Sequence, residues 1–273
     1  MDQDDVDISV IIPTYNMASL LPEAVESVAN SSCQNTELII VDDGSTDDTS
    51  AVVRNLIKRY EEQIESPRIR YNQIQHAGKA AALNRALNEI QGAFITVLDA
   101  DDKLPEQSLE QRYRRAISAQ ADLVLGGFCT FNGDEIFEVR SAPDFNSFSG
   151  LTNKVLFNAR SPFHQNSMLI SKELMQRVGS FDERLFRAQD KDYALRLIKK
   201  ARNIEVMEKP VYMYRQYPRG LFNRLRNRAC TIRYKSMVIY KHTRGIKRWV
   251  ALSWGIIIEA GKMGYELFSF YRK

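Results

Sequence analysis

Cysteine and histidine are scarce in this 273-residue sequence, which contains three of each. The cysteines, Cys33, Cys129 and Cys230, are odd in number and widely separated, so their spacing does not indicate a zinc site or a disulfide framework. The histidines are equally scattered, and no Ser-His-Asp or Cys-His pair can be assigned from them. A reducing, cytosolic location is the simpler interpretation of this cysteine usage.

Glycine and proline are also few, at 13 and 8 residues, while 44% of the residues are hydrophobic. This composition excludes low-complexity chains and predicts a globular protein with a buried core. Residues 1–7 contain four aspartates and no basic residue, so the sequence predicts no signal or transit peptide. The apolar stretch Trp249–Ile258 ends at Glu259 and is too short to span a bilayer. We therefore expect a cytoplasmic protein that is not exported.

Acidic residues are absent from residues 209–258, which contain twelve Lys and Arg interleaved with aromatic and apolar residues. Residues 1–208 carry a net charge of −9, so an acidic body precedes a basic extension. The acidic body repels nucleic acid, and we expect no nucleic-acid partner. Residues 209–273 are expected to be helical and either to lie on an anionic membrane or to pack against the body. The first alternative predicts a protein that is peripheral on the inner face of the cell membrane.

The first half of the sequence repeats one pattern, in which a short apolar run precedes a polar turn and a stretch of helical periodicity. Such alternation predicts an α/β fold with a mostly parallel central sheet flanked by helices, which binds ligands at the carboxyl ends of its strands. We expect this domain to span residues 1–208, with a loop containing a short helix at residues 143–162. The predicted strands are residues 8–12, 38–41, 69–74, 94–98, 123–131 and 167–170.

An acidic cluster, Asp99, Asp101 and Asp102, follows the fourth predicted strand directly. Carboxylates this close repel one another, and a hard divalent cation with oxygen ligands makes the arrangement favourable. The alternative is an acidic turn that caps the next helix. Three acids directly after a buried strand favour the metal interpretation, with Mg²⁺ or Mn²⁺ bridging them to phosphate oxygens.

Two further groups of acids have a functional and a structural interpretation. Asp42 and Asp43 follow the second predicted strand, where a carboxylate can accept hydrogen bonds from a ribose hydroxyl or a base N–H, or can simply organise the turn. Asp190 lies near the start of a predicted helix, where it is either a cap or a general base, and Asp192 is the alternative base. The sequence contains no G-x-G-x-x-G and no P-loop motif, so neither a Rossmann dinucleotide site nor a P-loop is predicted.

Four segments together resemble one known family. These are ISVIIPTYN at residues 8–16, ELIIVDDGSTD at 37–47, GKAAALN at 78–84 and LDADD at 98–102. Their order and spacing resemble the family 2 inverting glycosyltransferases with the GT-A fold. The resemblance implies a nucleotide-sugar donor, a divalent cation, Mn²⁺ or Mg²⁺, and transfer of the sugar with inversion at the anomeric carbon.

The resemblance also implies a role for individual residues of this sequence. It implies that Asp99 and Asp101 form the D-x-D metal motif and that Asp190, after Gln189, is the base acting on the acceptor hydroxyl. Arg215 is similar to a late basic residue that faces the diphosphate. The residues implied to line the donor nucleotide site are Pro13, Thr14, Tyr15, Asp42, Asp43, Gly78 and Lys79.

Three functions remain open from the sequence. The leading one is a glycosyltransferase that uses a UDP-sugar, the default donor, and a glycan or lipid-linked acceptor. The second is a sugar nucleotidyltransferase, although a Gly-rich basic loop is missing after the first predicted strand. The third is a non-catalytic nucleotide-sugar binding module.

Overall fold

The structure is a computed structural model that describes residues 6–33, 35–61, 67–142, 147–157, 163–217 and 221–271. These residues form one eight-stranded sheet covered by helices. The strands are β1 (Ile8–Thr14), β2 (Thr36–Asp42), β3 (Arg68–Gln73), β4 (Phe94–Val97), β5 (Leu123–Asn132), β6 (Glu135–Arg140), β7 (Met168–Ser171) and β8 (Ile204–Arg215). The helices are α1 (Leu21–Ala29), α2 (Thr49–Glu61), α3 (Lys79–Leu87), α4 (Ser108–Ala119), α5 (Phe148–Phe157), α6 (Lys172–Val178), α7 (Gln189–Lys200), α8 (Leu221–His242) and α9 (Gly245–Tyr271).

The strand order is β3-β2-β1-β4-β7-β5-β6, and β8 pairs with the other side of β5. Strands β1 to β4 are parallel to one another, because a helix returns the chain after each of the first three. Strand β7 runs antiparallel between β4 and β5, while β8 is parallel to β5. The carboxyl ends of β1, β2 and β4 therefore meet at one edge, where the acidic turns follow.

The central strands are buried on both faces, which explains their continuous apolar runs. Alternate side chains of β1 enter different cores: Val10 and Ile12 pack with α1 and α2 residues, whereas Ile11 packs with residues of α3 and α7. The sheet thus separates two hydrophobic layers.

The predicted α/β fold is confirmed, and each predicted strand coincides with an observed one to within two residues at either end. Helix α5 lies within the predicted loop at residues 143–162, whose positions 143–146 and 158–162 lie outside the described residues. Strands β6 and β8 are not anticipated by the sequence analysis. Strand β8 contains charged residues and Pro210, which pairs with Gly127 where the register shifts.

The predicted boundary after residue 208 falls within β8, whose pairing with β5 continues to Arg215. The two helices that follow are packed on the domain. Val238 and Ile239 of α8 and Ala251 of α9 are buried in the same hydrophobic cluster as α7. Among the described helices, none combines the length and apolarity that crossing a bilayer requires.

Replacing Gly127 by Ala should destabilise the protein by about 1–3 kcal/mol, because the strands have no room for a methyl group there. A Cβ at residue 127 would lie 2.5 Å from the Arg140 carbonyl oxygen and 2.8 Å from that of Glu208. Urea unfolding measures the effect. Gly261→Ala is the control, because a Cβ there meets no atom within 4 Å and its cost should be near zero or favourable. Equal stability of Gly127→Ala and wild type would contradict this packing.

Candidate active site

A cleft of about 260 Å³ opens at the carboxyl ends of β1, β2 and β4. It brings together seven of the residues that the sequence analysis singled out. They are Pro13, Thr14, Tyr15, Asp43, Lys79, Asp99 and Asp101. Met17, Ala82 and Ala100 complete the lining.

Asp43 organises one wall of the cleft by holding the turn before α3. One carboxylate oxygen accepts the Ala77 N–H at 2.8 Å, and the other accepts the Gly78 N–H at 2.9 Å and lies 2.9 Å from His76 Nδ1. Gly78 has a φ of 97°, a backbone conformation that residues with a side chain rarely adopt. The ring of His76 stacks on Tyr15 with 4.4 Å between centroids. Asp43 thereby places Tyr15, His76 and Gly78 around the cleft.

Asp42 lies beneath the cleft rather than in its lining. Its side chain is fully buried, with one oxygen accepting the Ser45 N–H at 2.8 Å and the other accepting the Tyr71 hydroxyl at 2.8 Å. Burial and the Asp42 carboxylate raise the pKa of Tyr71, so its hydroxyl remains a donor. The Asp42 carboxylate is therefore hydrogen-bonded to other groups of the protein. Of the two aspartates, Asp43 is the one that lines the cleft.

The acidic cluster forms a compact group after β4. Asp99, Asp101 and Asp102 each offer a carboxylate oxygen, and these oxygens all lie within 4.8 Å of one another. Burial and the negative charge of Asp99 raise the pKa of Asp101. The effect of Asp99 is a repulsion between the two carboxylates. Asp99 and Asp101 line the cleft and are only partly buried. Their hard oxygen atoms fit a divalent cation such as Mg²⁺ or Mn²⁺.

Asp102 supports this turn from inside the protein and is almost fully buried. It accepts the Tyr212 hydroxyl at 2.5 Å and the Arg215 N–H at 2.8 Å. The Tyr212 oxygen in turn accepts the Asn166 amide at 3.0 Å and the Asp99 N–H at 3.3 Å. Tyr212 thus connects Asp102, Asp99 and Asn166, and nothing in the local sequence around it indicates this role.

Arg215 packs behind the acidic turn and is not part of the cleft lining. Its Nε donates to the Asp101 carbonyl oxygen at 2.7 Å, its guanidinium pairs with Glu23, and it lies 4.4 Å over the ring of Phe131. Only 8% of Arg215 is exposed. The structure therefore places this side chain against protein groups, whereas the resemblance implied that it faces a diphosphate.

Lys79, at the start of α3, is the basic side chain in the cleft lining. Its Nζ lies 2.5 Å from Asp99 Oδ1. Burial lowers the pKa of Lys79, but the attraction and hydrogen bond of Asp99, together with the charges of Asp190 and Asp102, raise it above its usual value. The lysine is therefore a fixed positive charge beside the acidic cluster.

Asp190 lies in the first turn of α7 and is not part of the cleft lining. It lines a second, narrow pocket to which Lys79 also contributes. Ala188, before this helix, has a φ of 61°, and the acid accepts the Lys191 N–H at 2.8 Å. Asp190 remains partly exposed, as an acid that meets a substrate must be.

Asp192 has a different environment that does not suit a base. It is fully buried and accepts hydrogen bonds from Arg196 Nε at 2.9 Å and His242 Nε2 at 2.8 Å, and Lys241 Nζ lies 2.9 Å away. Lys241 also donates to Asp182 at 2.9 Å. Asp192 therefore joins α7 to α8 through charged groups, next to the helix turn that carries Asp190.

The Asp192→Asn variant should be about 2 kcal/mol less stable than wild type at pH 7. Burial alone would raise the pKa of Asp192, but hydrogen bonds from His242 and Lys241 lower it from 3.8 to about 2. Because the folded-state pKa is the lower one, this stabilisation is complete above pH 4 and is lost as the pH falls towards 2.

Urea unfolding of the two proteins at pH 7 and pH 3 measures this difference. The cost of the substitution should be smaller at pH 3 than at pH 7. Asp134→Asn, at an exposed turn position, is the matched control and should cost little at either pH. An equal cost of Asp192→Asn at both pH values would show that the carboxylate charge contributes nothing.

Comparison with known proteins connects this geometry to a family. The family described as Glycosyl transferase family 2 matches residues 9–182. GlyG of Streptococcus pneumoniae, named a glycosyltransferase, is 28% identical over 221 residues, covering 77% of this chain and 70% of GlyG. GlyA of the same organism is 33% identical over 131 residues, covering 48% of this chain and 18% of GlyA. This chain therefore spans a small part of GlyA and a larger part of GlyG.

A third relative, from Campylobacter jejuni, is named GalNAc(5)-diNAcBac-PP-undecaprenol beta-1,3-glucosyltransferase. It is 38% identical over 111 residues, covering 40% of this chain and 34% of that enzyme.

Solved structures share the fold of this chain. S. aureus TarS 1-349 in complex with UDP-GlcNAc superposes with a TM-score of 0.65 at 20% identity, covering 97% of this chain and 73% of that one. Mannosyltransferase PcManGT from Pyrobaculum calidifontis, in complex with GDP-Man and Mn²⁺, gives 0.64 at 19% identity, covering 95% and 75%. The chain belongs to glycosyl transferase family 2, and it has the GT-A fold.

Proposed function

We propose that this protein transfers a sugar from a nucleoside diphosphate to an acceptor hydroxyl, with inversion, by a single metal-assisted displacement. The observation that carries the proposal is the position of Lys79, which lines both the cleft with Asp99 and Asp101 and the pocket with Asp190. Lys79 therefore lies next to both the proposed metal ligands and the proposed base. The relatives are named glycosyltransferases, which does not support a nucleotidyltransferase or a non-catalytic binding module.

Asp99 and Asp101 are the proposed ligands of Mn²⁺ or Mg²⁺. A bound divalent cation would neutralise the charge that develops on the departing diphosphate. Lys79, which forms an ion pair with Asp99, contributes a second positive charge next to the proposed metal ligands. The backbone of the acidic turn is held by hydrogen bonds among Asp102, Tyr212 and Arg215. We propose that these three residues position the metal ligands. The Mn²⁺ in PcManGT, which has the same fold, supports this assignment.

The nucleotide is proposed to occupy the cleft lined by Pro13, Thr14 and Tyr15. Tyr15, stacked on His76 and 40% exposed, offers a ring face on which a base can stack. Asp43 shapes this wall through Gly78, and Asp42 supports it from beneath. We propose a UDP-sugar as the donor, in keeping with the UDP-GlcNAc bound to TarS.

Asp190 is the proposed general base. A single carboxylate opposite the leaving group can remove the proton of an attacking hydroxyl, so the displacement needs no covalent enzyme intermediate. Asp192, fully buried among Arg196, Lys241 and His242, has no access to an acceptor.

Asp101→Ala and Asp190→Asn form a matched pair that tests these two assignments. Asp101→Ala should abolish Mn²⁺-dependent binding of UDP, because a ligand of the cation is lost. Asp190→Asn should bind UDP with Mn²⁺ as wild type does and slow sugar transfer by ~10²–10⁴, because only the base is lost.

Calorimetry of UDP, GDP, dTDP and CDP, each with Mn²⁺ and with EDTA, measures binding, and release of the nucleoside diphosphate measures transfer. No metal-dependent binding of any of the four to folded wild-type protein would exclude the proposed donor site. Full transfer activity of Asp190→Asn would exclude the proposed base.

The acceptor is proposed to be a glycan or a lipid-linked glycan. The Campylobacter relative, whose name specifies a polyprenyl-linked acceptor, supports this class. A lipid-linked acceptor requires the enzyme to work at a membrane surface, and we propose that α9 places it there, on the cytoplasmic face. We propose no nucleic-acid partner.

Helix α9 presents apolar side chains that the protein does not cover. Trp249 is 70% exposed and Ile256 is 50% exposed, and seven residues of spacing put them on one face of the helix. Arg244, which is exposed, precedes this face, and residues 209–258 contain no acid. An apolar face within a basic segment favours an anionic bilayer surface.

The double variant Trp249→Glu/Ile256→Glu should lose most of its sedimentation with vesicles containing anionic lipid. Two carboxylates there would oppose both apolar insertion and attraction to the anionic surface. Ile117→Glu is the control, because Ile117 is 54% exposed on α4 and should not affect binding. If wild type does not sediment with such vesicles, the proposed membrane contact is wrong.

A further inference from the structure

A narrow pocket of about 30 Å³ lies beside Asp190, between the sheet and helices α3, α6 and α7. Its walls are mainly apolar and belong to the core. They include Met168, Met175 and Phe181. Its polar residues are Lys79, Gln165, Asn166, Gln189, Asp190 and Tyr193. The volume exceeds that needed by one water molecule, roughly 10–15 Å³.

Two polar atoms of this lining have no hydrogen-bond partner in the described part of the chain. They are the Tyr193 hydroxyl and the Gln189 amide oxygen Oε1, and both atoms are buried. Tyr193 as a whole is 2% exposed. An unpaired buried polar atom destabilises the protein unless something pairs with it, so both atoms indicate a polar partner inside the pocket.

Contacts of the aromatic ring fix the position of the Tyr193 hydroxyl. Its ring stacks on Phe181 with 3.8 Å between centroids, and the Arg196 guanidinium lies 4.9 Å from the ring centre. Burial raises the pKa of Tyr193, so the group is a hydrogen-bond donor at neutral pH. Gln189 Oε1 is an acceptor. A matching ligand therefore needs one acceptor, one donor and an apolar part for the walls.

We propose that this pocket receives the 2-acetamido group of an N-acetylhexosamine carried by the donor, so that the substrate is a UDP-N-acetylhexosamine. An acetamido group has a carbonyl oxygen to accept from Tyr193, an N–H to donate to Gln189 and a methyl group for the apolar walls. The walls include Met168 and Met175, whose flexible side chains can adapt to the methyl group.

We place the donor sugar next to this pocket. Lys79 lines both the nucleotide cleft and the pocket, and Asp190 lines the pocket alone. A sugar that extends from a diphosphate near Asp99 towards the proposed base Asp190 would lie beside the pocket. The inference rests on the proposed function for that reason, and it adds the identity of the sugar.

Calorimetric titration of wild-type protein with UDP, UDP-GlcNAc and UDP-Glc, all with Mn²⁺, tests the proposal without a variant. UDP-GlcNAc should bind at least ~10-fold more tightly than UDP-Glc, since it adds two hydrogen bonds and a buried methyl group. The UDP titration tests the proposed function separately. Binding of UDP with equal affinities for the two sugars overturns the pocket assignment and leaves the function intact.

Tyr193→Phe shows whether the hydroxyl makes the distinction. The variant should reduce the preference for UDP-GlcNAc to less than ~3-fold and leave UDP and UDP-Glc affinities unchanged. Its thermal midpoint without ligand should not fall, because the lost hydroxyl has no hydrogen-bond partner among the described residues. Tyr60→Phe, at a buried tyrosine of α2 in the other hydrophobic layer, is the control and should keep the preference.

Three other outcomes of these experiments would contradict parts of the proposal. An undiminished preference in Tyr193→Phe overturns the role of the hydroxyl. A fall in thermal midpoint together with equal binding of both sugars to wild type would indicate bound water in the pocket. Failure of UDP to bind, with GDP or dTDP binding in its place, overturns the proposed donor.

Discussion

The buried carboxylate of Asp102 holds together the part of the structure on which the site depends. It accepts the Tyr212 hydroxyl and the Arg215 N–H, and so it ties the turn after β4 to the end of β8. Two strands that are not neighbours in the sheet are thereby joined at one point. With Asp102 turned inwards, Asp99 and Asp101 are left to face the cleft. Asp102 therefore supports the turn, because its hydrogen-bond partners lie inside the protein, whereas Asp99 and Asp101 are available for the proposed chemistry.

A second charged contact connects the C-terminal helices to α7, the helix that carries the proposed base. Lys241 and His242 of α8 meet Asp192 of α7, two residues after Asp190. Such a buried charge would be costly without partners, so the position of α8 and the state of Asp192 depend on each other. The C-terminal helices therefore contribute to the domain that holds the site, even though the basic composition of residues 209–258 sets them apart in the sequence.

Positive charge in the cleft lining comes from Lys79, and Asp99 holds it in place. The residue implied by resemblance to supply a further positive charge, Arg215, is instead engaged by Glu23 and the Asp101 carbonyl oxygen. Charge neutralisation of a departing diphosphate would then depend on Lys79 and a cation held by Asp99 and Asp101. This division makes the acidic turn the centre of the proposed chemistry.

The amino-acid sequence by itself determined the α/β class, the central strands and the edge of the sheet where the site lies. Apolar runs followed by acidic turns are local patterns, and parallel strands bring their carboxyl ends together. Motifs of the same kind also sufficed to identify the family. Only the tertiary structure decided that β8 completes the sheet beside β5, because its charged, proline-containing sequence matches no simple alternation.

The tertiary structure likewise decided the role of each acid. Asp42 and Asp43 are adjacent in the sequence, yet Tyr71 and Ser45 engage the first beneath the cleft, and the second lines the cleft. The importance of Tyr193 and Gln189 became clear only from the packing, which leaves the Tyr193 hydroxyl and Gln189 Oε1 without a hydrogen-bond partner among the described residues. Hydrogen-bond partners come from residues distant in the chain, and no local pattern of residue types specifies which of them will meet.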